Sequence, residues 1–273
     1  MNQSIDLSVV LGQLIPLVQN VGRLQTENLG RVNLVVDAKS TLIDLVTEID
    51  KQSEATIIAF IRDRFPDHGI LAEESGQSDG EADYLWTIDP LDGTTNYAQG
   101  LPIFSISIAL SYRGQTVLGI VYAPVLNELY YAIRGQGAFL NDKPIRVSEK
   151  KQLIDCVLAT GFPYDVASHP ANNIRSFGSL LPKTRAIRRF GSAAYDLAGV
   201  ACGRFDGYWE LNLSPWDVAA GILLVEEAGG LVLPFRTDRK ISIIAGNRGL
   251  VGQIEHELQQ DYYMKAECTA YEQ

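Results

Sequence analysis

The sequence predicts an α+β fold in which helices lie beside a largely antiparallel sheet. Three observations support this prediction. Apolar residues at helical spacing open the chain, apolar and small residues alternate strictly in its middle, and strand and helix patterns are interspersed in its second half. With 273 residues, 46% of them hydrophobic, the chain can bury a large core as one compact unit or as two fused lobes.

Two helices are predicted near the start of the chain. In the first, apolar residues recur at helical spacing over residues 7–24, and Pro16 is expected to kink or locally open the helix. Residues 28–39 are predicted to form a loop with a short extended piece. The second helix is predicted over residues 43–65, because Pro66 follows as a stop signal.

Strand patterns follow these helices. Short apolar runs at residues 69–72 and 84–88 predict buried strands. Apolar residues then alternate with Ser and Ala over residues 104–112, which predicts a half-buried strand. A short turn leads from it into strands at residues 116–122 and 128–133, so this region is predicted to be antiparallel sheet.

A short polar stretch around residues 147–153 marks the predicted boundary between an N-terminal lobe, 1–146, and a C-terminal lobe, 147–262. Strands are predicted near residues 156–160, 185–188, 207–210 and 241–245, and helices from Ser192, from Ser214 with Pro215 in its first turn, and over residues 250–259. Residues 263–273 show little periodicity and are predicted to be a flexible tail.

Composition bounds the possible functions. The net charge of −10 and the pI near 4.8 argue against general nucleic-acid binding, although bound cations would let an acidic protein hold an anionic substrate. Cys156, Cys202 and Cys268 are far apart and predict reduced thiols rather than a disulfide frame. No apolar run reaches the roughly 18 residues of a membrane span, and a signal peptide's basic start is missing. The protein is therefore predicted to be cytoplasmic, without membrane contact.

The segment WTIDPLDGTTNY, residues 86–97, carries most of the functional information. Asp89 leaves the end of a predicted buried strand and Asp92 follows three residues later. Ionised carboxylates in such a place are costly unless they are paired or metal-bound. Gly93-Thr94-Thr95 then offers backbone N–H donors at a predicted helix start, which suits a phosphate. An isolated DPLDG would be interpreted as a helix cap; the full segment, read with its distant partner motifs, indicates a metal-dependent phosphatase instead.

Four further acids are candidates, three of them in short motifs, and each has an ordinary alternative. Glu73 lies in AEES, where adjacent acids are usually a solvated turn. Asp217 lies in PWDVAAG, in the first turn of a predicted helix, where the helix dipole favours an acid anyway. Asp50 ends DLVTEID and resembles an ordinary acid at a helix start. Glu210 ends an apolar strand and could be a surface residue.

Taken together, WTIDPLDGTTNY, AEES and PWDVAAG resemble the inositol monophosphatase family, and the resemblance runs from about the first helix to Leu250. It implies a five-layer αβαβα sandwich of the type shared by inositol monophosphatase and fructose-1,6-bisphosphatase. It also implies a homodimer. Lys39 falls where the family has a mobile loop that covers the site, although a solvated lysine would look the same.

The resemblance implies a set of oxygen ligands for Mg²⁺, with two or three ions per site and Mn²⁺ as an alternative. Asp89 would bridge two ions, Glu73 and the backbone carbonyl of Leu91 would complete the first site, and Asp92 and Asp217 the second. Oxygen-only ligands fit this implication because they select hard cations over zinc.

The resemblance also implies catalytic and substrate-binding roles. Thr94, hydrogen-bonded to Asp50, would orient and deprotonate the attacking water, with Glu73 as a further catalytic residue. The implied substrate contacts are Gly93, Thr94, Thr95, Gly191, Ser192, Ala193 and Glu210.

The implied activity is hydrolysis of myo-inositol monophosphate by direct attack of a metal-activated water, with sensitivity to lithium. GFPY at residues 161–164 resembles bacterial inositol monophosphatases and favours that substrate. Other small phosphate esters stay open: the chain could be a broader sugar phosphatase acting on fructose 1,6-bisphosphate, or a 3′-phosphoadenosine 5′-phosphate phosphatase. A regulatory partner-binding protein that retains the fold is the non-enzyme alternative.

Overall fold

The computed structural model describes residues 5–31, 35–39, 44–78 and 82–268. Within these ranges the helices are α1 Leu7–Asn28, α2 Glu48–Arg64, α3 Thr94–Ala98, α4 Ile174–Leu180, α5 Ala193–Ala201, α6 Pro215–Glu227 and α7 Arg248–Cys268. The strands are β1 Val36–Ala38, β2 Leu45–Thr47, β3 Gly69–Ala72, β4 Gly76–Ser78, β5 Tyr84–Asp92, β6 Ser105–Tyr112, β7 Gln115–Ala123, β8 Glu128–Ile133, β9 Gly137–Leu140, β10 Lys143–Pro144, β11 Val157–Thr160, β12 Ala186–Arg188, β13 Gly207–Leu213, β14 Leu231–Pro234 and β15 Ile241–Gly246.

The strands form two large sheets and one small pair. The first sheet has the order β10-β9-β8-β7-β6-β5-β3-β4 and is antiparallel except where β3 pairs with β5. The second has the order β12-β11-β13-β15-β14, with β11 parallel to both of its neighbours. The first sheet ends at β10 and the second begins at β11, close to the predicted lobe boundary.

Helices cover both sheets and fill the space between them. α1 and α2 pack on the outer face of the first sheet, and α5 and α6 lie between the two sheets. α4 and α7 cover the outer face of the second sheet, where a separate apolar cluster forms. The predicted αβαβα order of layers is therefore confirmed.

Strand β6 is buried on both faces, so the prediction of a half-buried strand is wrong. Its large residues, such as Ile106 and Ile108, pack under α1 and α2, and Ala109 packs in the cluster around α5 and α6. Ser107 also faces that side, where its hydroxyl donates to the Trp216 carbonyl at 3.1 Å. The alternation is one of large and small residues, because the inner helices approach this sheet closely.

Gly119 in β7 shows how close this approach is, since a Cβ added there would lie 3.0 Å from the Ala220 backbone in α6. We expect Gly119→Ala to lower the free energy of unfolding by about 1–3 kcal/mol through overpacking. Urea unfolding measures it. Gly12→Ala is the control: it lies in α1 with nothing within 4 Å of the added Cβ, so it should be neutral or stabilising, by at most about 1 kcal/mol. Equal stability of the two variants would contradict the close packing.

The second helix begins later than predicted. Leu45–Thr47 forms β2, which pairs with β1, and α2 starts at Glu48. Thr47 caps the helix, and Asp50 at its third position accepts from the Thr47 backbone N–H at 3.0 Å. This reciprocal capping box fixes the start. Residue 43, the predicted start, lies outside the described residues.

Helix α1 has the length and apolar composition of a membrane span, although polar residues interrupt its apolar runs. Its apolar face is nevertheless part of the core: Val10, Leu14, Val18 and Val21 pack with residues of α2 and of the first sheet. The helix is continuous through Pro16. We therefore treat α1 as a core helix.

The last helix is longer than predicted, because α7 runs to Cys268 rather than to residue 259. No glycine or proline interrupts residues 253–268, so no strong stop signal lies there. Residues 269–273, the end of the predicted tail, lie outside the described residues. Several short elements were not predicted from the sequence, namely β4, β9, β10, β14 and α4.

Candidate active site

A cavity of about 440 Å³ opens where the end of β5 meets the first turns of α3, α5 and α6. It collects residues from all the sequence motifs that suggested a site. The predicted residues that line it are Glu73, Asp89, Leu91, Asp92, Gly93, Thr94, Gly191, Ser192, Ala193, Glu210 and Asp217. Two predicted residues, Asp50 and Thr95, are not part of the lining.

An irregularity in β5 places both of its aspartates in this cavity. Residues an odd number apart on a regular strand point to opposite faces of the sheet. Asp89 pairs with Ser107 and Asp92 with Ser105, so β5 uses one more residue than β6 between the two pairs. This extra residue restores Asp92 to the face of Asp89, and the Leu91 N–H donates to Asp89 Oδ1 at 3.0 Å.

Asp92 is bound by the first turn of α5. Its Oδ2 accepts from the Ser192 hydroxyl and from the Ala194 N–H, both at 2.7 Å. Burial raises the pKa of Asp92 to about 6, although these donors act in the opposite direction. The helix start thus orients one carboxylate oxygen and leaves the other for a further partner.

Asp217 is oriented by the first turn of α6. The Ser214 N–H donates to Asp217 Oδ2 at 2.7 Å, which is half of a capping box. Burial, and then the charge of Asp92, raise the pKa of Asp217 well above its usual value. Asp217 is therefore an acid in the first turn of a helix, as predicted, and also lines the cavity.

Asp89 lies at the centre of the acidic cluster and is only 2% exposed. Burial, followed by the charges of Glu73, Asp92 and Asp217, raises its pKa well above the usual value. Burial also raises the pKa of Glu73, to about 7, against the opposing charge of Lys39. These four carboxylates, of which Asp89 is buried and the other three are partly buried, repel one another and need cations to be ionised together.

Lys39 supplies one positive charge at the edge of this cluster. Its Nζ lies 2.8 Å from Glu73 Oε1 and also contacts Glu74. Burial alone would lower the pKa of Lys39, but the two glutamates raise it above its usual value. Lys39 is therefore not the solvated lysine that was the alternative interpretation of its position.

The donor set around the cavity fits hard divalent cations. Glu73, Asp89, Asp92, Asp217 and the Leu91 carbonyl offer oxygen atoms alone, as Mg²⁺ prefers. Among the described residues, no three acidic, histidine or cysteine side chains already stand together as ligands of one ion. Glu73 is paired with Lys39 at the edge of this donor set.

Thr94 and Asp50 meet beside the carbonyl of Leu91. The Thr94 hydroxyl lies 2.9 Å from Asp50 Oδ1 and 3.2 Å from the Leu91 carbonyl oxygen. Burial raises the pKa of Asp50, while hydrogen bonds from Thr47 and Thr94 lower it. Asp50 is fully buried behind Thr94, so it can act on the cavity only through that hydroxyl.

Glu210 lies at the other end of the cavity. Tyr208 donates its hydroxyl to Glu210 Oε2 at 2.7 Å, and burial raises the pKa of Glu210 to about 7. A Cβ on Gly161 would lie 2.1 Å from Glu210 Oε1, so a larger residue there would displace the Glu210 carboxylate. Gly191 has a φ of +78°, which also favours glycine.

Several lining residues were absent from the predicted site, chiefly Asp44, Tyr164, Asp165, Arg189, Asn212 and Lys240. Three of them had a signal in the sequence. Asp44 opens DLVTEID, Tyr164 ends the GFPY segment, and Arg189 lies two residues before Gly191. Asn212 lies near the end of β13 and Lys240 in the turn before β15, and no motif marks either residue.

Comparison with known proteins gives consistent matches over nearly the whole chain. The model of the inositol monophosphatase family matches residues 6–268. A Nus factor SuhB of Pasteurella multocida is 50% identical over 75% of this chain and 77% of its own length. An inositol-1-monophosphatase of Synechocystis is 47% identical over 82% of this chain and 79% of its own length.

Solved structures share the fold. The extragenic suppressor protein suhB of Bartonella henselae has a TM-score of 0.85 at 40% identity, over 92% of this chain and 98% of that one. An IMPase/NADP phosphatase complexed with NADP and Ca²⁺ has a TM-score of 0.83 at 25% identity, over 94% of this chain and 97% of that one. A staphylococcal inositol monophosphatase soaked in LiCl has a TM-score of 0.82 at 25% identity, covering 94% and 96%.

Proposed function

The chain belongs to the inositol monophosphatase family, and on that premise we propose that it is a divalent-cation-dependent phosphatase. Its proposed reaction is hydrolysis of myo-inositol monophosphate to myo-inositol and phosphate. The observation that carries the proposal is the irregularity in β5, which directs Asp89 and Asp92 into one cavity with Glu73 and Asp217.

The proposed cofactor is Mg²⁺, two or three ions per site, with Mn²⁺ as an alternative. Glu73, Asp89 and the Leu91 carbonyl would hold one ion, and Asp89, Asp92 and Asp217 a second. When bound, such ions polarise the phosphate, lower the pKa of the attacking water and neutralise the leaving oxygen. The Ca²⁺ and LiCl structures of relatives support a cation site of this kind and a sensitivity to lithium.

The proposed proton path uses Thr94 and Asp50. The Thr94 hydroxyl faces the cavity and hydrogen-bonds to Asp50, so it can accept a hydrogen bond from water while donating to the carboxylate. Because burial raises the pKa of Asp50, this carboxylate is a better proton acceptor than an exposed aspartate. Glu73 is proposed as a further catalytic residue through the cation that it would hold.

The proposed substrate contacts divide the cavity into two ends. Gly93, Thr94 and Thr95 offer N–H groups to the phosphate at the start of α3. Gly191, Ser192, Ala193 and Glu210 face the alcohol, where the Glu210 carboxylate would accept hydrogen bonds from ring hydroxyls. Thr95 does not line the cavity, so we propose for it a backbone N–H donor in the first turn of α3 and no side-chain contact.

Other phosphate esters are the runner-up substrates. We would measure phosphate release with Mg²⁺ from inositol 1-phosphate, fructose 1,6-bisphosphate, 3′-phosphoadenosine 5′-phosphate and 4-nitrophenyl phosphate. The proposal expects the highest kcat/KM for inositol 1-phosphate. A comparable value for the fructose ester would make the chain a broader sugar phosphatase with the same site.

Glu210→Gln is expected to change substrate preference. Replacement of one charged acceptor oxygen by an amide donor should lower kcat/KM for inositol 1-phosphate by about tenfold more than for 4-nitrophenyl phosphate, because only the polyol offers ring hydroxyls. The ratio of the two values in the variant and in the wild type is the measurement. Equal losses on both esters would remove Glu210 from substrate recognition.

A regulatory, partner-binding role is the second candidate. One observation favours it: the Pasteurella relative, 50% identical, is named Nus factor SuhB, and a relative from Escherichia coli carries the same name at 43% identity. Turnover by the purified chain without a partner would favour the enzyme. A cytoplasmic location and a homodimer stay predictions, and light scattering measures the second.

A further inference from the structure

One wall of the cavity is built from three segments that are distant in sequence. Asp165 comes from the loop after β11, Asn212 from β13, and Lys240 from the turn between β14 and β15, and all three line the cavity. Asn212 lies at an irregularity in the pairing of β13 with β15 and has a φ of +65°. This wall continues from Glu210, so it borders the end assigned to the alcohol.

Arg239 connects these segments from behind. Its Nη2 lies 2.8 and 2.9 Å from the two carboxylate oxygens of Asp165. Its Nη1 donates to the Ala171 carbonyl at 3.2 Å, and its Nε to Asn212 Oδ1 at 3.4 Å. Arg239 itself does not line the cavity, and its side chain is only 4% exposed.

A buried guanidinium remains charged, so its partners must stay in place to compensate for lost hydration. Two of these contacts therefore restrain the loop after β11, at Asp165 and Ala171, and the third restrains β13 at Asn212. Because Lys240 is the next residue in the chain, the contacts of Arg239 also hold Lys240 at the cavity. By contrast, Asp92 and Asp217 are oriented by the first turns of α5 and α6, which do not depend on Arg239.

We propose that Arg239 is a positioning residue for substrate specificity: it fixes the wall that the alcohol part of the ester contacts. This inference rests on the proposed function, since it requires a phosphate ester in the cavity. It assigns to Arg239 an effect on the alcohol rather than on the hydrolysis of the phosphate.

The test compares Arg239→Gln, Arg239→Lys and a control, Arg236→Gln. Arg236 lies in the same turn and pairs with Asp238 at 2.7 and 2.9 Å, away from the cavity lining. The readout is the ratio of kcat/KM for the best polyol phosphate to that for 4-nitrophenyl phosphate. Hydrogen exchange of residues 162–172 gives a second readout, which does not need activity.

Arg239→Gln should lower this ratio about tenfold, chiefly through KM, and should weaken the protection of residues 162–172. Arg239→Lys should give a ratio and a protection between those of the wild type and Arg239→Gln, because lysine keeps the charge but not the three contacts. Arg236→Gln should keep both the ratio and the protection. An equal loss on both esters, or unchanged protection in Arg239→Gln, would overturn the inference. Failure of the wild type to hydrolyse any ester would instead refute the proposed function, and hydrogen exchange would still decide the role of Arg239.

Discussion

Asp89→Asn is expected to reduce kcat on the order of 10³-fold while raising the midpoint of thermal unfolding in the presence of a chelator. Activity falls because the central carboxylate loses the charge that two cations would share. Stability rises because asparagine removes a buried charge that Glu73, Asp92 and Asp217 repel, and its amide oxygen can still accept from the Leu91 N–H.

The gain in stability should depend on pH. The pKa of Asp89 is higher in the folded than in the unfolded chain, so ionisation of this group opposes folding increasingly as pH rises above about 4. The difference in midpoint between Asp89→Asn and the wild type should therefore be larger at pH 8 than at pH 5. Calorimetry at the two pH values measures it.

Asp206→Asn is the matched control for this result. Asp206 is also 2% exposed, but it is paired with the Lys150 ammonium at 2.9 Å and the Val157 N–H at 2.7 Å, outside the cavity. Its loss should lower stability and leave kcat close to the wild-type value. If Asp89→Asn were instead destabilised like Asp206→Asn, the proposed repulsion of Asp89 by Glu73, Asp92 and Asp217 would be contradicted.

Thr94→Ala is expected to lower kcat by about 10²-fold or more with little change in KM, because the lost hydroxyl acts on the proton of water rather than on substrate binding. Steady-state kinetics with inositol 1-phosphate measures both constants. Thr94→Ser keeps the hydroxyl near Asp50 and should recover most of the rate.

The link to Asp50 can be tested in the same assay. If Thr94 acts only through Asp50, Thr94→Ala and Asp50→Asn should each lower kcat by about as much as the double variant does. Additive losses would show that the two residues act separately. An unchanged kcat in Thr94→Ala would exclude the proposed proton path.

Much of the fold follows from local patterns. Strand alternation, proline stops and the Ser214 cap lie within short windows, so they predicted β6, β7, β8 and α6 close to their observed bounds. What failed depends on neighbours: β6 is buried on both faces because α6 covers its small residues, and the start of α2 is displaced because β2 pairs with β1.

The acidic end of the cavity could be predicted because its chemistry lies in compact motifs. Asp89, Asp92 and Asp217 meet in the cavity as the family resemblance implied, although the irregular pairing of β5 that aligns the first two cannot be read from residue types. The opposite wall could not be predicted. Asn212 lies near the end of β13 and Lys240 in the turn before β15, and the buried contacts of Arg239 join these segments to the loop that carries Asp165.

The most direct test of the central claim is phosphate release from inositol 1-phosphate by chelator-treated protein, before and after addition of Mg²⁺. The carboxylate cluster is proposed to act only through bound cations, so turnover should vanish with the chelator and return with the ion. Undiminished turnover in the presence of excess chelator would contradict the account.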